Sequence, residues 1–180
     1  MMSVRKVINR RRAYRSIRPF KVSEELIKEL ARCASLAPSC YNKQPWRFVF
    51  VVSKGKLKQV FDALPRGNRW ATRSSLIVAV FTKRELDCTI GKRDYFLFDT
   101  GIATGFLILC ATELGYVAHP IAGFDEEKVK SVLKIPLDMT LIALVVIGLL
   151  DEDSGEFKKE QKRPERLPFS RFAWIDGIGE

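Results

Sequence analysis

Residues 38–46, PSCYNKQPW, bring several short polar side chains together between a helical pattern and an apolar run. Ser39 and Asn42 carry hydrogen-bond donors and acceptors close to the backbone, which suits the polar edge of a flat ligand. Gln44 adds a second amide, and Pro45-Trp46 fixes the entry into the next segment. A similar composition is typical of a plain loop that ends a helix. These residues alone therefore leave a binding loop and a helix-terminating loop open.

Cys40 and the single histidine, His119, have the side chains of a nucleophile and its base. No nucleophile signature surrounds Cys40, and a lone histidine beside a proline is more often structural than catalytic, so we rank this interpretation low. The four cysteines show no CxxC pair and no regular spacing, so we expect neither a zinc site nor another bound metal, and no disulfide framework. A reducing, cytoplasmic setting is the simplest expectation.

The chain of 180 residues carries 31 basic and 21 acidic side chains, a net charge of +10. This charge favours anionic partners. The basic residues lie in separate clusters without a helix-turn-helix, RNP or zinc-finger pattern, so we do not expect nucleic acid as a partner. A basic nucleic-acid-binding module without a cofactor nevertheless remains the alternative from another functional class.

The longest apolar stretch, residues 95–114, favours a buried helix. It contains Asp99 and Glu113 and two glycines, which makes it a poor membrane span. The basic N-terminus is not followed by an apolar segment, so we expect no secretory signal.

Hydrophobic spacing predicts the elements that would position these residues. Ser23 is the expected N-cap of a helix that Pro38 ends, and Asp125 the expected cap of a helix that runs to about residue 133. Apolar runs predict buried strands at 48–52, 76–81 and 140–150, and further helices at 56–64 and 95–115. We expect one domain over residues 1–180, with α+β or α/β layers around one sheet.

Four separated segments together resemble the FMN-dependent nitroreductase family. RRAYR, residues 11–15, is similar to that family's Arg-x-Ser-x-Arg/Lys element, and PSCYNKQPW to its Pro-Ser-Ser-x-Asn-x-Gln-Pro-Trp loop. DTGIATGFLILCATELGY followed by HPIAGF resembles its central helix and its Pro-Ile-x-Gly-Phe flavin loop. RPERLP resembles its C-terminal basic element. The order and spacing of the four segments cover almost the whole chain.

The resemblance implies an α+β, three-layer fold with a mainly antiparallel sheet between helices and a C-terminal tail that wraps a partner subunit. It also implies a homodimer with FMN at the interface. NADH or NADPH would give a hydride to flavin N5, and an electron-poor acceptor such as a nitroaromatic or quinone would take the reducing equivalents. Relatives with dehalogenase or flavin-reductase activity leave the acceptor open. The aromatic side chains of Phe169, Phe172 and Trp174 have no local partner in the sequence and fit such a tail.

Particular residues take roles on this resemblance. Arg11, Arg15 and Arg166 would hold the FMN phosphate, because guanidinium groups offer forked, charged donors. The backbone N–H of Ala122 would face N5, and Gly123 would allow close approach of the ring. The expected cofactor-binding residues are Arg11, Arg12, Ala13, Arg15, Pro38, Ser39, Cys40, Asn42, Gln44, Asn68, Arg69, Pro120, Ile121, Ala122, Gly123, Arg163 and Arg166.

Two of these positions depart from the family pattern. Ala13 stands where the family usually has serine, so one hydroxyl contact to the phosphate would be lost. Cys40 replaces the second serine of the loop, so its contact would survive only through the backbone. Asn68 and Arg69 fall near the place where the family sets an amide or basic residue against the flavin ring.

Overall fold

The computed structural model describes residues 3–178. The predicted domain of residues 1–180 therefore includes four terminal residues that lie outside the described part. The helices are α1 Val4–Arg10, α2 Glu24–Ser35, α3 Lys54–Phe61, α4 Phe96–Glu113, α5 Glu126–Leu133 and α6 Phe157–Glu160. The strands are β1 Ile17–Arg18, β2 Arg47–Val51, β3 Leu76–Thr82, β4 Thr89–Ile90, β5 Arg93–Asp94, β6 Val117–Ile121 and β7 Thr140–Leu150.

The main sheet is antiparallel and is organised around the long strand β7. One edge of β7 pairs with β3, which in turn pairs with β2. The other edge pairs with β6 and, at its far end, with the short strand β1. Strands β4 and β5 form a separate hairpin before α4. The predicted α+β class with a mainly antiparallel sheet is confirmed.

Helices cover both faces of this sheet, which gives three layers. On one face, Leu30 of α2 and Leu107 of α4 are fully buried against Val78 and Val145 of the sheet. On the other face, Val60 of α3 and Val129 of α5 are fully buried in a second cluster. The two faces of the sheet therefore carry different sets of loops, which decides where each candidate binding residue can lie.

Local signals in the sequence predicted the helix starts correctly. The Ser23 side chain accepts a hydrogen bond from the Leu26 N–H at 3.2 Å, and Asp125 accepts one from the Lys128 N–H at 3.0 Å. Gly115 follows α4 with a φ of +91°, a left-handed conformation that ends a helix at little cost to glycine. The strand predicted at 140–150 matches β7.

Other expectations for the strands were wrong. The resemblance assigned residues 120–124 to a flavin loop, but Pro120 and Ile121 belong to strand β6, where Pro120 is tolerated because β6 is an edge strand. The run predicted as the buried strand 48–52 is β2, an edge strand in which Phe48, Val49 and Phe50 are only half-buried. Residues 66–73, of which 66–68 were read as loop, form a 3-10 helix.

The apolar helix α4 is the central helix expected from the sequence. Its 18 residues are apolar enough to cross a membrane by composition, but 44% of them are buried inside the fold, as in a core helix. The helix also keeps apolar side chains exposed, with Phe98 at 64% and Leu97 at 49% of their accessible surface. One side of α4 is therefore core and the other is open to a partner.

Candidate active site

Arginine side chains from both ends of the chain meet at one surface. Arg11 is half-buried, and burial lowers the pKa of its guanidinium group. The positive charges of Arg163, Arg166 and Arg12 lower this pKa further. The sequence predicted Arg11 and Arg166, with Arg15, as phosphate ligands and Arg12 and Arg163 as further cofactor-binding residues, and the structure brings Arg11, Arg12, Arg163 and Arg166 together. Their mutual repulsion favours an anion with several oxygen atoms.

Two of these arginines bond across the junction between the N-terminal segment and the tail. Arg12 donates to the carbonyl oxygens of Glu160 at 2.5 Å and Lys162 at 3.2 Å, and its guanidinium lies 5.0 Å from the centre of the Tyr14 ring. Arg163 donates to the carbonyl oxygens of Asn9 and Arg11. Arg12 and Arg163 therefore tie the N-terminal segment to the tail and place the other arginines.

A carboxylate nest lies beside the arginine cluster. The Glu160 carboxylate accepts hydrogen bonds from the N–H of Arg15 at 2.9 Å, the N–H of Ser16 at 3.1 Å and the Ser16 hydroxyl at 2.7 Å. Burial alone would raise the pKa of Glu160, but these bonds outweigh it and lower the pKa below its usual value. The backbone at residues 15 and 16 therefore has the geometry to bind the oxygen atoms of an anion.

The position of Ser16 suits a second alignment of the family's Arg-x-Ser-x-Arg/Lys element, which the sequence analysis missed. Ala13, aligned with the family's serine, is exposed, whereas Ser16 is fully buried with its hydroxyl in the nest. The spacing Ser16-x-Arg18 matches the Ser-x-Arg/Lys part of the family element three residues later, with Tyr14 at its first position. This second match to the motif spacing was the signal available in the sequence, and it makes Ser16 the candidate for the hydroxyl that Ala13 lacks.

His119 links strand β6 to the N-terminal segment. Its Nδ1 lies 3.1 Å from the carbonyl oxygen of Tyr14, and its ring packs on Trp70 at 4.6 Å between centroids. Burial lowers the pKa of His119; the Tyr14 contact opposes this shift, while the charges of Arg15 and Arg11 add to it. Since a carbonyl can only accept, the neutral ring carries its proton on Nδ1. These contacts fit the structural role that the sequence favoured.

Asn68 contacts the residues that directly follow β6. Ala122 and Gly123 are exposed directly beyond Ile121, the last residue of β6. Asn68 Nδ2 donates to the Gly123 carbonyl at 2.7 Å, and a Cβ at position 123 would lie 2.9 Å from this nitrogen. A side chain at position 123 would therefore displace Asn68 from this contact, and Asn68 belongs to the same surface as Ala122.

A basic cavity of about 410 Å³ lies between these elements. Arg15, Arg66 and Arg69 line it together with Arg73, which pairs with Glu156 at 2.6 Å and also donates to the Arg15 carbonyl. We call the surface formed by residues 11–16, 66–73, 119–123 and 156–166 the arginine face.

The polar loop, residues 38–44, has a different construction. Ser39 Oγ accepts from the Gln44 N–H at 2.9 Å, and the Cys40 N–H donates to Asp99 at 2.6 Å. Tyr41, Asn42 and Gln44 all have positive φ, at 47°, 56° and 50°. Asparagine tolerates this conformation, but each of the others costs about 1–3 kcal/mol, and such strain clusters at functional sites.

The polar loop and part of the arginine face are anchored on opposite sides of the sheet. Residues that flank the loop, Ala37 and Trp46, pack with Ala103 of α4. Trp70 and Ile121 belong instead to the cluster on the α3 and α5 face. Within one chain, the polar loop is therefore anchored on the α4 side, and residues 66–73 and 119–121 on the other.

Cys40 also overturns an expectation from the sequence, because it forms a disulfide with Cys88. The prediction of no disulfide was wrong. The partners are 48 residues apart, and the antiparallel sheet and the β4–β5 hairpin bring their Cα atoms to 6.0 Å, within the usual range. Cys33 and Cys110 are free thiols.

Comparison with known proteins agrees with this architecture. The sequence matches the profile of the Nitroreductase family over residues 8–82 and 62–149. A protein of Archaeoglobus fulgidus, whose name proposes an NADH dehydrogenase/NAD(P)H nitroreductase, is 26% identical over 169 residues, which span 90% of this chain and 94% of that protein.

Two solved structures show the same fold. An oxidoreductase containing FMN is 26% identical, with a TM-score of 0.82 over 96% of this chain and 91% of that one. A proposed nitroreductase of Exiguobacterium sibiricum in complex with FMN has a TM-score of 0.83 at 21% identity, over 98% of each chain. Because the family profile covers most of its length, this protein belongs to the nitroreductase family.

Proposed function

We propose that the protein is an FMN-dependent oxidoreductase that takes a hydride from NADH or NADPH and passes reducing equivalents to an electron-poor acceptor such as a nitroaromatic or quinone. The observation that carries this proposal is the crowding of Arg12, Arg163 and Arg166 around Arg11, which favours a bound dianion. The FMN-bound relatives and the nicotinamide-dependent name of the archaeal relative support the same cofactors.

The residues of the arginine face fit FMN in their chemistry. Arg11, Arg15 and Arg166 would hold the phosphate, and the buried Ser16 hydroxyl would add a donor once Glu160 moves. Asn68 and Arg69 would contact the ring, with Pro120 and Ile121 behind the exposed backbone of Ala122 and Gly123. The bound cofactor would supply the hydride chemistry at N5, while the Ala122 N–H would donate a hydrogen bond there and so tune its reactivity.

A homodimer would complete each site, since the polar loop is anchored on the opposite side of the sheet from residues 66–73 and 119–121 of its own chain. In a twofold dimer, Ser39, Asn42 and Gln44 of one chain would reach the ring edge held by the other. The exposed side of α4 and the tail aromatics, with Phe169 at 62% and Phe172 at 60% exposure, are surfaces that such a partner would cover. We infer one FMN-binding domain over the whole chain and a cytoplasmic location.

The visible spectrum of the purified protein tests this proposal. Flavin absorption bands that bleach when NADH or NADPH is added without oxygen are the expected result. A colourless protein that cannot be reconstituted with FMN, especially one with steep salt-dependent binding to DNA or RNA, would overturn it in favour of a nucleic-acid-binding module. Comparing nitroaromatics, quinones, halogenated aromatics and free flavin as oxidants would then identify the acceptor class.

A further inference from the structure

We propose that the Cys40–Cys88 disulfide is an electron acceptor within the protein and is reduced to a dithiol by reduced FMN. This gives the protein a second activity, a disulfide reductase step, beyond transfer to a soluble acceptor. The inference rests on the proposed function, because the reducing equivalents come from NADH or NADPH through FMN.

The position of Cys40 carries the first part of the argument. Cys40 lies between Ser39 and Asn42, the two side chains that the proposed function sets against the flavin edge. With Ser39, Tyr41 and Phe98 it lines an open cavity of about 500 Å³ at the start of α4. The sulfur is therefore part of the loop that the cofactor touches, and both disulfide cysteines are only half-buried.

The surroundings of the sulfur atoms carry the second part. A carboxylate oxygen of Asp87 and the sulfurs of Cys40 and Cys88 all lie within 4.8 Å of one another. Asp87 accepts from the Cys88 N–H at 2.8 Å, and burial, together with the charge of Asp99, raises the pKa of Asp87. A carboxyl group this close to a disulfide is placed to deliver a proton to the sulfur that leaves when the bond breaks.

The reaction balances with the reagents that the proposed function already uses. The S–S bond accepts two electrons and two protons from reduced FMN, two S–H bonds form, and FMN returns to its oxidised form. Where Asp87 delivers one of these two protons to a sulfur, it takes up in exchange a proton released by the reduced flavin, so the total stays at two.

The disulfide also binds two functional elements together. It ties the strained polar loop to the segment before the β4–β5 hairpin, and Asp99 of α4 holds the Cys40 N–H. Reduction would release this tie and leave the loop held by its hydrogen bonds alone. The redox state of the pair would therefore set how firmly the polar loop is held against a bound flavin.

An anaerobic reductive titration tests the proposal. The FMN-loaded wild-type protein is titrated with whichever of NADH or NADPH bleaches it, and thiols are counted after denaturation. We expect consumption of about two equivalents of donor per FMN, one for each two-electron acceptor. Thiols should rise from two to four per chain, because Cys33 and Cys110 are already free. Alkylation and mass spectrometry should place the new thiols at Cys40 and Cys88.

Two variants sharpen the result. Cys88→Ser should consume about one equivalent, because it leaves FMN as the only two-electron acceptor. Cys33→Ser, the matched control, should consume about two equivalents as wild type does, while its thiols rise from one to three per chain. A wild-type protein that bleaches with one equivalent and keeps its thiol count would overturn the inference alone, as would four thiols in the air-oxidised protein. A protein without reducible flavin would overturn both the inference and the proposed function.

Discussion

The arginine face and the polar loop are both proposed to contact one flavin, but they are assembled in different ways. The arginine face joins residues up to about 150 positions apart, such as Arg12 and Lys162, through bonds to backbone carbonyls. The polar loop is seven consecutive residues that hydrogen bonds to Ser39 and Asp99 hold in a strained backbone conformation. The arginine face depends on the contacts between the tail and the N-terminal segment, whereas the polar loop depends on its own local conformation. They should therefore respond differently to mutation.

Removing the tail should have the largest effect, because it takes away Arg163 and Arg166 together with the aromatic residues. A protein that ends at Lys162 should lose both bound FMN and dimer, since a ligand that binds only the assembled state stabilises it. Flavin absorbance after desalting and sedimentation would measure the two. A shorter deletion of residues 175–180 should retain both, and a protein without residues 163–180 that stays yellow and dimeric would contradict the role of the tail.

Arg15→Ala should weaken the arginine face without changing the polar loop. The loss of a charged hydrogen bond to the phosphate should cost about 1.5–3 kcal/mol, or roughly 10- to 150-fold in the FMN dissociation constant. Titration of the apo protein measures it. Lys28→Ala removes an equal charge from an exposed pair on α2 and should leave the constant unchanged. Equal affinity of Arg15→Ala and wild type would remove Arg15 from the site.

Ala122→Pro should change the rate of reduction more than the affinity for FMN. Proline deletes the N–H proposed to face N5. We expect anaerobic bleaching by NADH or NADPH to slow about tenfold or more, equivalent to about 1.4 kcal/mol. Ala122→Ser and Ala122→Gly keep the N–H and serve as controls in the stopped-flow measurement. A folded, dimeric, FMN-loaded Ala122→Pro protein that bleaches at the wild-type rate would show that this N–H is not the partner of N5.

The smallest effect concerns His119 and the stability of the arginine face. The pKa of His119 is lowered in the folded protein, so the unfolded chain binds a proton more readily. The free energy of unfolding should therefore decrease as pH falls through about 6.5, the usual histidine value. His119→Gln should remove this part of the pH dependence. Urea unfolding of both apo proteins at pH 7.5 and pH 5.5 would measure the difference. If the free energy of unfolding changed by the same amount between the two pH values in both proteins, the assignment of a buried, neutral His119 would be contradicted.

The sequence predicted the local features of the molecule better than the distant ones. The caps at Ser23 and Asp125 and the strand β7 depend on neighbouring residues and were confirmed. Strand β6 was missed because proline and histidine hide its pattern, and only pairing with β7 fixes it. No local pattern shows a bond across 48 residues, such as Cys40–Cys88, or across 144, such as Ser16–Glu160.

The candidate site divides in the same way. The family motif identified the polar loop and the residues after β6, which are continuous in sequence. It did not identify Glu160, Arg73 or Trp70, because their places depend on how the tail and the 3-10 helix pack against the N-terminal segment. The anchoring of the polar loop and of residues 66–73 and 119–121 on opposite sides of the sheet is likewise a property of the fold and not of any segment.

A mixed dimer tests most directly whether each flavin site combines the arginine face of one chain with the polar loop of the other. Arg15→Glu would disable the first and Asn42→Tyr, at an exposed position, the second. Two different affinity tags would isolate dimers that contain one chain of each. One site then has both defects and the other has none, so a twofold dimer should hold about half the wild-type FMN and bleach it at the wild-type rate. Mixed dimers that hold no more FMN than either parent would show that both regions act within one chain, and would contradict this account.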